Sequence, residues 1–492
     1  MIIFIIAAAL GLRLALTLSH PGYLGVDGGA YLVGMAATLG NDPTGAGFPR
    51  PPLAPGLTLW PFVELLGTDV GYKIWSALAS MAPLLPVYLF CRRISFPRYR
   101  NLIMAFAVVF VSLDLLHGEM IVTGALPLLA FGFLGTAWWA MGRLAEERTL
   151  RLTLILAVSL ALIPYINQTT AGLAVVTVPV YLIALRWAHR DNDPIRGNLP
   201  GLVLGGLLAL TALPWYLDVL PVTGMLAYPG PFMFLTHMYD SAWWQLLLAW
   251  PVGLYVVRKA DEEWLRSLGI LVCLLGTLLV FMSTDETVIN VFYRSRYLLA
   301  IPWYICTAWI IGVKVLPALR WPAYAPAFTL VAVAVMGFGY IWQFNNQARY
   351  SAMATPATAA ALDQIRGYGD NGAIISNSFT LSLWIAALNK VPSPHTWTWH
   401  PPRRFVETDK AVRCLMGWVA GCNPQEAQRE LDAGWVLIDT RFPAYNARAP
   451  GIYLAPNGPD LWDVTGETPW LTEEYRWGTT IVWRIDTEKK DS

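Results

Sequence analysis

The sequence predicts an α-helical polytopic membrane protein with about eleven transmembrane helices, followed by a soluble extracytoplasmic α/β domain. Of its 492 residues, 56% are hydrophobic and 14% are charged, whereas a soluble globular protein carries about 25% charged residues. The charge is also uneven, because 30 of the 149 residues at 344–492 are charged, against 37 of the 343 before them. This step separates a lipid-solvated part from a water-solvated part, so we expect domains at 1–343 and 344–492.

Each membrane crossing requires about 20 apolar residues in a helix. Suitable stretches lie at 1–18, 70–91, 101–116, 121–141, 152–166, 170–187, 199–216, 241–257, 268–284, 298–316 and 323–343. The first stretch is not read as a cleavable signal peptide, because it lacks a basic n-region and carries Arg13 inside the apolar run. The first external loop, 19–69, has prolines at 51, 52, 55 and 61, so we expect an interfacial segment there rather than another span.

The distribution of positive charge among the loops predicts the orientation. Five alternate loops, called the basic loops below, hold 15 Lys and Arg residues: RRISFPRYR, RLAEERTLR, RWAHRDNDPIR, RKADEEWLR and the turn from Lys314 to Arg320. The opposite loops hold Arg50, Arg294 and Arg296, with Lys73 at the edge of the second span. Because Lys and Arg are retained in cytoplasmic loops, we expect an inner- or plasma-membrane protein with its N-terminus in the cytoplasm. Eleven crossings then place residues 344–492 outside.

The C-terminal domain is predicted to be α/β. Residues 356–367 and 423–433 have helical composition, the second with Asn423 as an N-cap and Gly434 as a stop. The runs GAIISN, WVLIDTR and TTIVWRI are β-branched or aromatic and are bounded by turn residues, as strands are. Cys414 and Cys422 both fall in this domain, where an oxidising compartment would allow a disulfide between them.

Asp27 lies in GYLGVDGGAYL, a few residues after the first span. A lone carboxylate at a membrane surface is suited to deprotonate a hydroxyl group, and Tyr31 follows one helical turn later if a short helix begins there. The same carboxylate would also serve as the N-cap of an interfacial helix. The local sequence leaves both readings open.

Arg294 and Arg296 lie in YRSRYLLAIP, before the tenth span. Guanidinium groups bind phosphate through paired hydrogen bonds. Their alternate spacing puts them on different faces of a helix, whereas an extended approach to the span would put them on one side. Interfacial snorkelling is the other interpretation of these two cations.

Several of these features occur together, in an order and sidedness that match a known group of enzymes. They are Arg13 in the first span, Asp27 with Tyr31, the run Arg50-Pro51-Pro52-Leu53 before the second span, and Arg296-Tyr297-Leu298-Leu299 with Pro302 before a late span. In these motifs the chain resembles the GT-C glycosyltransferases, in particular the group that contains aminoarabinose transferases of lipid A and protein O-mannosyltransferases. The resemblance spans most of the membrane domain.

The resemblance implies transfer of a sugar from a polyprenyl-phosphate donor to a glycan, lipid or protein acceptor, with inversion at the anomeric carbon. Asp27 would be the general base on the acceptor hydroxyl. Arg296, with Arg294 and Arg50, would stabilise the phosphate leaving group. Further candidates are Tyr31, Tyr297, Glu119 where relatives place acidic residues, and His237 in FLTHMYDS.

The sequence departs from the family pattern at two acidic positions. Many relatives have adjacent acidic residues where this chain has Asp27 followed by Gly28, and Glu119 has no partner that would form a DxD or DxE motif. We therefore expect no metal and no required cofactor, although a divalent metal is compatible with the family. A net charge of +1 without a Lys/Arg run gives no indication of nucleic acid.

Two other functions would also suit a polytopic membrane protein. A lipid or glycan transporter (flippase) would be expected to carry polar residues at the membrane midplane and internal repeats; here the ionisable residues concentrate at the external rim, with Arg13 the clear mid-span charge. A glycan polymerase or ligase would be expected to carry its large soluble part between spans rather than at the C-terminus. The glycosyltransferase interpretation fits the sequence better than either.

Overall fold

A computed structural model describes most of the chain, and two compact units are distinguishable in it. The described residues are 2–24, 28–40, 54–94, 97–117, 124–189, 193–214, 243–283, 289–315, 325–369, 372–376, 379–389, 410–412, 414–416, 421–439 and 468–487. The helical unit comprises Met1–Ser19, Val70–Pro214 and Gly230–Tyr350, and the mixed unit comprises His20–Asp69, Trp215–Pro229 and Ser351–Ser492. The sequence predicts a division of the chain at residue 343 into a part in lipid and a part in water. Contacts within the protein do not test this division, so it stays a prediction.

Helices account for most of the described residues. They are α1 (Ile2–Ser19), α2 (Gly28–Thr38), a π-helical turn (Pro55–Leu59) that leads into α3 (Trp60–Leu66), α4 (Thr68–Ser80), α5 (Leu84–Cys91), α6 (Pro97–His117), α7 (Ala125–Leu144), α8 (Leu150–Ile166), α9 (Gln168–Ala188), α10 (Pro194–Leu210), α11 (Trp243–Lys259), α12 (Glu263–Ser283), α13 (Ile289–Ile310) with a π-helical turn (Ile311–Val315), α14 (Ala325–Ser351), α15 (Pro356–Gly367), α16 (Phe379–Asn389) and α17 (Pro424–Leu431). The strands are β1 (Tyr23–Leu24), β2 (Ala352–Ala354), β3 (Ala373–Ser376), β4 (Ala433–Asp439), β5 (Leu471–Trp477) and β6 (Thr480–Ile485).

Every predicted span overlaps a helix or, for 70–91, the consecutive pair α4 and α5. Among the described residues, five helical segments are long and apolar enough to cross a membrane: Thr68–Cys91, Ala125–Leu144, Gln168–Ala188, Glu263–Val280 and Tyr297–Val315. Shorter apolar helices include α1, α8 and α10. The chain is thus rich in helices suited to a bilayer, while the total of eleven crossings stays a prediction.

Side-chain caps explain where several of these helices begin. Thr149, Asn167 and Asp193 precede α8, α9 and α10, and each side chain accepts a hydrogen bond from a backbone N–H in the first turn. The Asn167 carboxamide oxygen lies 2.9 Å from the backbone nitrogen of Thr170. Such caps satisfy N–H groups that have no partner within the helix, so short polar turns can separate consecutive apolar helices.

Glycines allow close packing between helices of the helical unit. A Cβ atom on Gly253 of α11 would lie 2.4 Å from Cys273 Sγ and 2.5 Å from the Gly269 carbonyl oxygen, both on α12. In α10, a Cβ on Gly205 would lie 3.0 Å from the carbonyl oxygen of Ala157 on α8. Small residues let helix backbones approach within a membrane, where packing drives association.

The mixed unit contains a four-stranded sheet of order β3-β4-β6-β5, in which β3 and β4 are parallel and the other pairs are antiparallel. Alternate residues of β4 face opposite sides. Trp435 and Leu437 pack in the cluster that includes Leu362 of α15, whereas Val436 and Ile438 pack in a second cluster. Both faces are therefore covered, as in an α/β domain.

The second cluster contains Cys414, and the structure joins Cys414 to Cys422 in a disulfide whose Cα atoms are 5.8 Å apart. The bridge closes a segment of the chain next to α17 and ties it to the sheet. Cys91, Cys273 and Cys306 are buried in the helical unit as free thiols.

The helix after Asn423 ends earlier than predicted. Asn423 caps α17 as expected, and its side chain accepts hydrogen bonds from the backbones of Gln425 and Glu426. The helix stops because Asp432 adopts a left-handed conformation with φ of 48°, a conformation that Asp tolerates better than most residues. Gly434 lies inside β4, so its predicted role as the stop was wrong.

The segment predicted to be the first external loop belongs almost entirely to the mixed unit, which includes His20–Asp69. Strand β1 pairs with β2 in an antiparallel arrangement, with Tyr23 opposite Ala354. Helix α2 packs on α16 so closely that a Cβ on Gly29 would lie 2.6 Å from the backbone nitrogen of Trp384. The rings of Tyr23 and Trp384 are 4.9 Å apart. These contacts join residues of the loop to residues more than 300 positions later.

The proline-rich part of that loop does not form a spanning helix. Residues 54–66 form the π-helical turn and the seven-residue α3, which ends before Gly67 at a φ of 78°. Leu57, Trp60 and Leu65 are exposed. Exposed apolar residues on short helices fit the predicted interfacial segment.

Candidate functional site

Four of the predicted site residues, Asp27, Arg50, Glu119 and His237, lie outside the described residues. The described residues on either side of Asp27 are informative, because β1 ends at Leu24 and α2 begins at Gly28. The predicted base therefore comes directly before a helix and follows a strand, both of which pack on segments of the mixed unit.

Tyr31 lies in the first turn of α2 and is 8% exposed. It is buried together with Leu32 and Val33, so the beginning of α2 is part of a packed interior. Tyr23, on the preceding strand, is partly buried, and burial raises the pKa of its phenol to about 12, with a further contribution from Asp69. Tyr23 is therefore neutral over the physiological range and acts here by packing.

Arg294 and Arg296 lie within α13, which begins at Ile289. Of the two arrangements that the sequence left open, the structure has the helical one, because α13 starts before both arginines. At 3.6 residues per turn, positions two apart are separated by about 200° around the axis. The two positions therefore do not share a face of α13.

Tyr297 follows on the same helix and is 2% exposed. Its ring centroid is 6.3 Å from that of Phe131 on α7. Leu298 and Leu299 are equally buried, and Pro302 lies inside the helix. The Arg-Tyr-Leu-Leu motif is thus followed by a packed stretch of α13, and Tyr297 contributes to that packing.

A polar triad inside the helical unit was not predicted. The Asp114 carboxylate on α6 accepts hydrogen bonds from the Tyr304 hydroxyl of α13 at 2.7 Å and from the Gln245 amide of α11 at 2.9 Å. The Gln245 nitrogen also lies 2.8 Å from the Tyr304 oxygen. Gln245 and Tyr304 are 2% and 4% exposed. Charge-assisted hydrogen bonds in such surroundings are strong, and unmade ones are costly.

The triad ties three helices together from distant parts of the chain. Gln245 and Tyr304 are 131 and 190 residues from Asp114. Asp114 lies three residues before the end of α6, and its position in an apolar helix was the one signal in the sequence, since intramembrane carboxylates are rare and commonly functional. Its partners carried no such signal.

Arg13 is almost completely buried, at 1% exposure, within α1. Tyr72 of α4 and Tyr340 of α14 lie within electrostatic range of its guanidinium. The Tyr340 hydroxyl donates a 2.9 Å hydrogen bond to the Ser112 carbonyl oxygen. Lys73, also on α4, is 4% exposed. The helical unit therefore encloses more charge than the sequence indicated.

Charged side chains connect the helix ends at the predicted cytoplasmic side. Arg93 binds Glu146 in an ion pair and lies over the Trp264 ring, with its Cζ 4.7 Å from the centroid. His189 Nδ1 is 2.7 Å from Glu263 Oε2. These contacts join four of the five basic loops, so those loops lie at one end of the helical unit, which we call the basic end.

Burial shifts the pKa of two basic side chains at the basic end, Arg93 and His189. It lowers the pKa of Arg93, against the opposing effect of Glu146, and it lowers the pKa of His189, against that of Glu263. Arg93 remains charged because an arginine pKa starts far above neutrality. His189 is held toward its neutral form.

The structure does not test the expectation that the protein requires no metal. Among the residues it describes, no three His, Cys, Asp or Glu side chains form a group that could hold a metal ion. Glu119 and Asp27 lie outside those residues, so the metal question remains a prediction.

No known family model and no curated protein matches the sequence. Solved structures do match. The chain aligns with the arabinofuranosyltransferase AftD from Mycobacteria at 14% identity and a TM-score of 0.56, over 98% of this chain and 40% of that one. ArnT from Cupriavidus metallidurans, bound to undecaprenyl phosphate, matches at 14% identity and a TM-score of 0.60, over 98% and 97%.

The archaeal oligosaccharyltransferase AglB from Archaeoglobus fulgidus, in complex with an inhibitory peptide and a dolichol-phosphate, matches at 12% identity and a TM-score of 0.56 over 100% of this chain and 74% of that one. The chain thus spans less than half of the arabinofuranosyltransferase but nearly all of ArnT. All three neighbours are GT-C enzymes. Together with the helical unit, the mixed unit and the motifs, this likeness shows that the chain has the GT-C fold.

Proposed function

We propose that the chain is an inverting glycosyltransferase that moves a sugar from a polyprenyl-phosphate donor to a cell-envelope acceptor at the external face of the membrane. The observation that carries the proposal is a fold match over nearly the full length of ArnT, a protein solved with undecaprenyl phosphate bound. AglB, solved with a dolichol-phosphate, supports the same donor class. In the orientation predicted from the loop charges, Asp27 and the external arginines lie on the side of the membrane away from the cytoplasm and its nucleotide sugars.

Asp27 is proposed as the general base. The acceptor hydroxyl oxygen forms a bond to the anomeric carbon while the bond from that carbon to the phosphate oxygen breaks, and the carboxylate takes the hydroxyl proton. Polyprenyl phosphate leaves from the opposite side, which inverts the anomeric configuration. The anchoring of β1 and α2 to the mixed unit supports this role, because a base must be held in a fixed place to act.

Arg296, helped by Arg294 and Arg50, is proposed to stabilise the phosphate as its negative charge grows. Helix α13 carries the first two positions, and Tyr304 lies eight residues after Arg296, about 12 Å along the axis. The bonds from Tyr304 to Asp114 and Gln245 fix this helix against α6 and α11. We therefore assign the triad the task of holding α13 in position.

The proposal is tested with the purified chain in lipid bilayers, supplied with radiolabelled sugars on undecaprenyl phosphate and membrane acceptors. Asp27→Asn should lower transfer by about 10²–10⁴-fold, the usual contribution of a general base, and should leave binding of undecaprenyl phosphate unchanged. Glu64→Gln, at an exposed carboxylate of the same loop, is the matched control and should retain transfer.

Arg296→Ala should weaken the binding of undecaprenyl phosphate about tenfold, since a charge-assisted phosphate contact is lost. Transfer retained by Asp27→Asn would remove that residue as the base. If the unmodified chain neither bound undecaprenyl phosphate nor consumed any lipid-linked sugar, the glycosyltransferase assignment itself would be wrong.

A further inference from the structure

A cavity of about 980 Å³ opens at the basic end of the helical unit. It is lined by the end of α5, the α7–α8 turn and the beginning of α12. Four arginines and four glutamates line it, together with tryptophans and aliphatic side chains. The charge pattern and the apolar wall together indicate an amphipathic ligand.

Half of the eight charged lining residues pair with one another. Arg93 and Arg143 pair with Glu146 and Glu147, and Glu263 pairs with His189 outside the cavity. Among the described residues, three exposed or partly exposed charges of the lining have no ion-pair partner: Arg92, Arg151 and Glu262. The charges available to a ligand are thus two cations and one carboxylate.

The remaining wall is apolar. Leu89, Trp139, Leu152 and Ile155 line the cavity alongside the charges. Tryptophans and arginines at the ends of apolar helices lie at the level of lipid headgroups. A soluble phosphate ester would use the arginines but leave this wall against water, whereas a membrane lipid would cover it.

We propose that this cavity binds a zwitterionic glycerophospholipid of the leaflet at the basic end. Its phosphodiester would lie between Arg92 and Arg151, its primary ammonium would face Glu262, and the glycerol and first acyl carbons would lie against the apolar wall. The ligand class follows from the available charges, because a phosphodiester and an ammonium together use all three. The proposal does not depend on sugar transfer.

The test is native mass spectrometry of the delipidated full chain in detergent, titrated with phosphatidylethanolamine, phosphatidylglycerol or soluble glycerophosphoethanolamine. Phosphatidylethanolamine should bind most tightly. The double variant Arg92→Gln/Arg151→Gln should weaken its binding about tenfold; both side chains are exposed, Arg92 on a turn after α5 and Arg151 in the first turn of α8. Arg186→Gln, an exposed arginine of another basic loop outside the cavity, should bind like the unmodified chain.

Glu262→Gln should reduce the preference for phosphatidylethanolamine over phosphatidylglycerol. Unchanged affinity in the double variant would overturn the phosphate site, as would equal weakening by Arg186→Gln. Phosphatidylglycerol binding as tightly as phosphatidylethanolamine would overturn the zwitterionic class. Soluble glycerophosphoethanolamine binding as tightly as the lipid would overturn the assignment to a membrane lipid.

Discussion

The basic end of the helical unit and the Asp114 triad both hold helices together with polar groups, but they do so in different surroundings. At the basic end, Arg93 is shared between Glu146 and the Trp264 ring, and Glu146 is partly exposed. In the triad, Asp114 receives hydrogen bonds from a buried hydroxyl and a buried amide. Water can replace a lost partner at the first site far more easily than at the second.

This difference predicts how each region responds to loss of a residue. An exposed ion pair contributes little because solvent screens it, whereas a buried polar group left without its partner costs the full desolvation penalty. Substitutions in the triad should therefore destabilise the protein more than substitutions at the basic end, although the basic end holds many more charges.

The largest effect is expected for Asp114→Leu. It removes the Asp114 oxygen to which the Tyr304 hydroxyl donates and one of the two acceptors of the Gln245 amide, which should lower the free energy of unfolding by about 2–3 kcal/mol. The unfolding midpoint in detergent measures this. Asp114→Asn, which keeps an acceptor oxygen, is the matched variant and should lose about 1 kcal/mol or less. Equal stability of the Leu variant and the unmodified chain would contradict a structural role for the triad.

A smaller effect is expected for Arg93→Ala. The change removes the ion pair with Glu146 and the contact with the Trp264 ring, together worth about 1–2 kcal/mol at a largely buried position. Arg258→Ala, at an exposed arginine of the same end, should change stability by less than about 0.5 kcal/mol. The same unfolding measurement decides between them. A loss for Arg93→Ala larger than that for Asp114→Leu would reverse the comparison.

The smallest effect concerns pH at the basic end. Because burial lowers the pKa of His189 below its ordinary value of 6.5, the unfolded chain binds a proton before the folded one as the pH falls. The free energy of unfolding should therefore decrease below about pH 6.5. The decrease should be less than about 1 kcal/mol, because Glu263 and Glu146 raise the pKa of His189 and so oppose the effect of burial, which Arg93 reinforces. Unfolding midpoints at pH 7.5 and 5.5 test this, and His189→Gln should reduce the dependence. If the dependence of stability on pH is unaltered in His189→Gln, groups other than His189 cause it.

The sequence by itself predicts which parts of the chain lie in lipid and which lie in water. Spans emerge because a bilayer requires about 20 apolar residues in a row, a property of contiguous sequence, and the positions of the helices agree with those spans. The three predicted strands of the α/β domain and the helix at 356–367 also form, because their patterns are local. Strand β5, with the run LTEEYRW, lacked such a pattern and was not predicted.

The candidate site was predictable only in part. The motifs around Asp27 and Arg296 indicated the GT-C class, which the fold bears out. The sequence left open whether Arg294 and Arg296 lie in a helix or in an extended segment, because the start of a helix depends on packing as well as on local composition; α13 begins five residues before Arg294. No local pattern could link Asp114 to Gln245 and Tyr304, which approach it only when three helices pack.

Tertiary structure alone decided which parts of the chain share an interior. The first external loop reads as a connection between spans, yet β1 pairs with a strand at 352–354 and α2 packs on α16. Likewise, four basic loops that the sequence shows only as separate runs of charge meet at one end, and three of them line a cavity there. Solvent preference is a property of each segment, whereas hydrogen bonds and close packing are properties of pairs brought together by the whole fold.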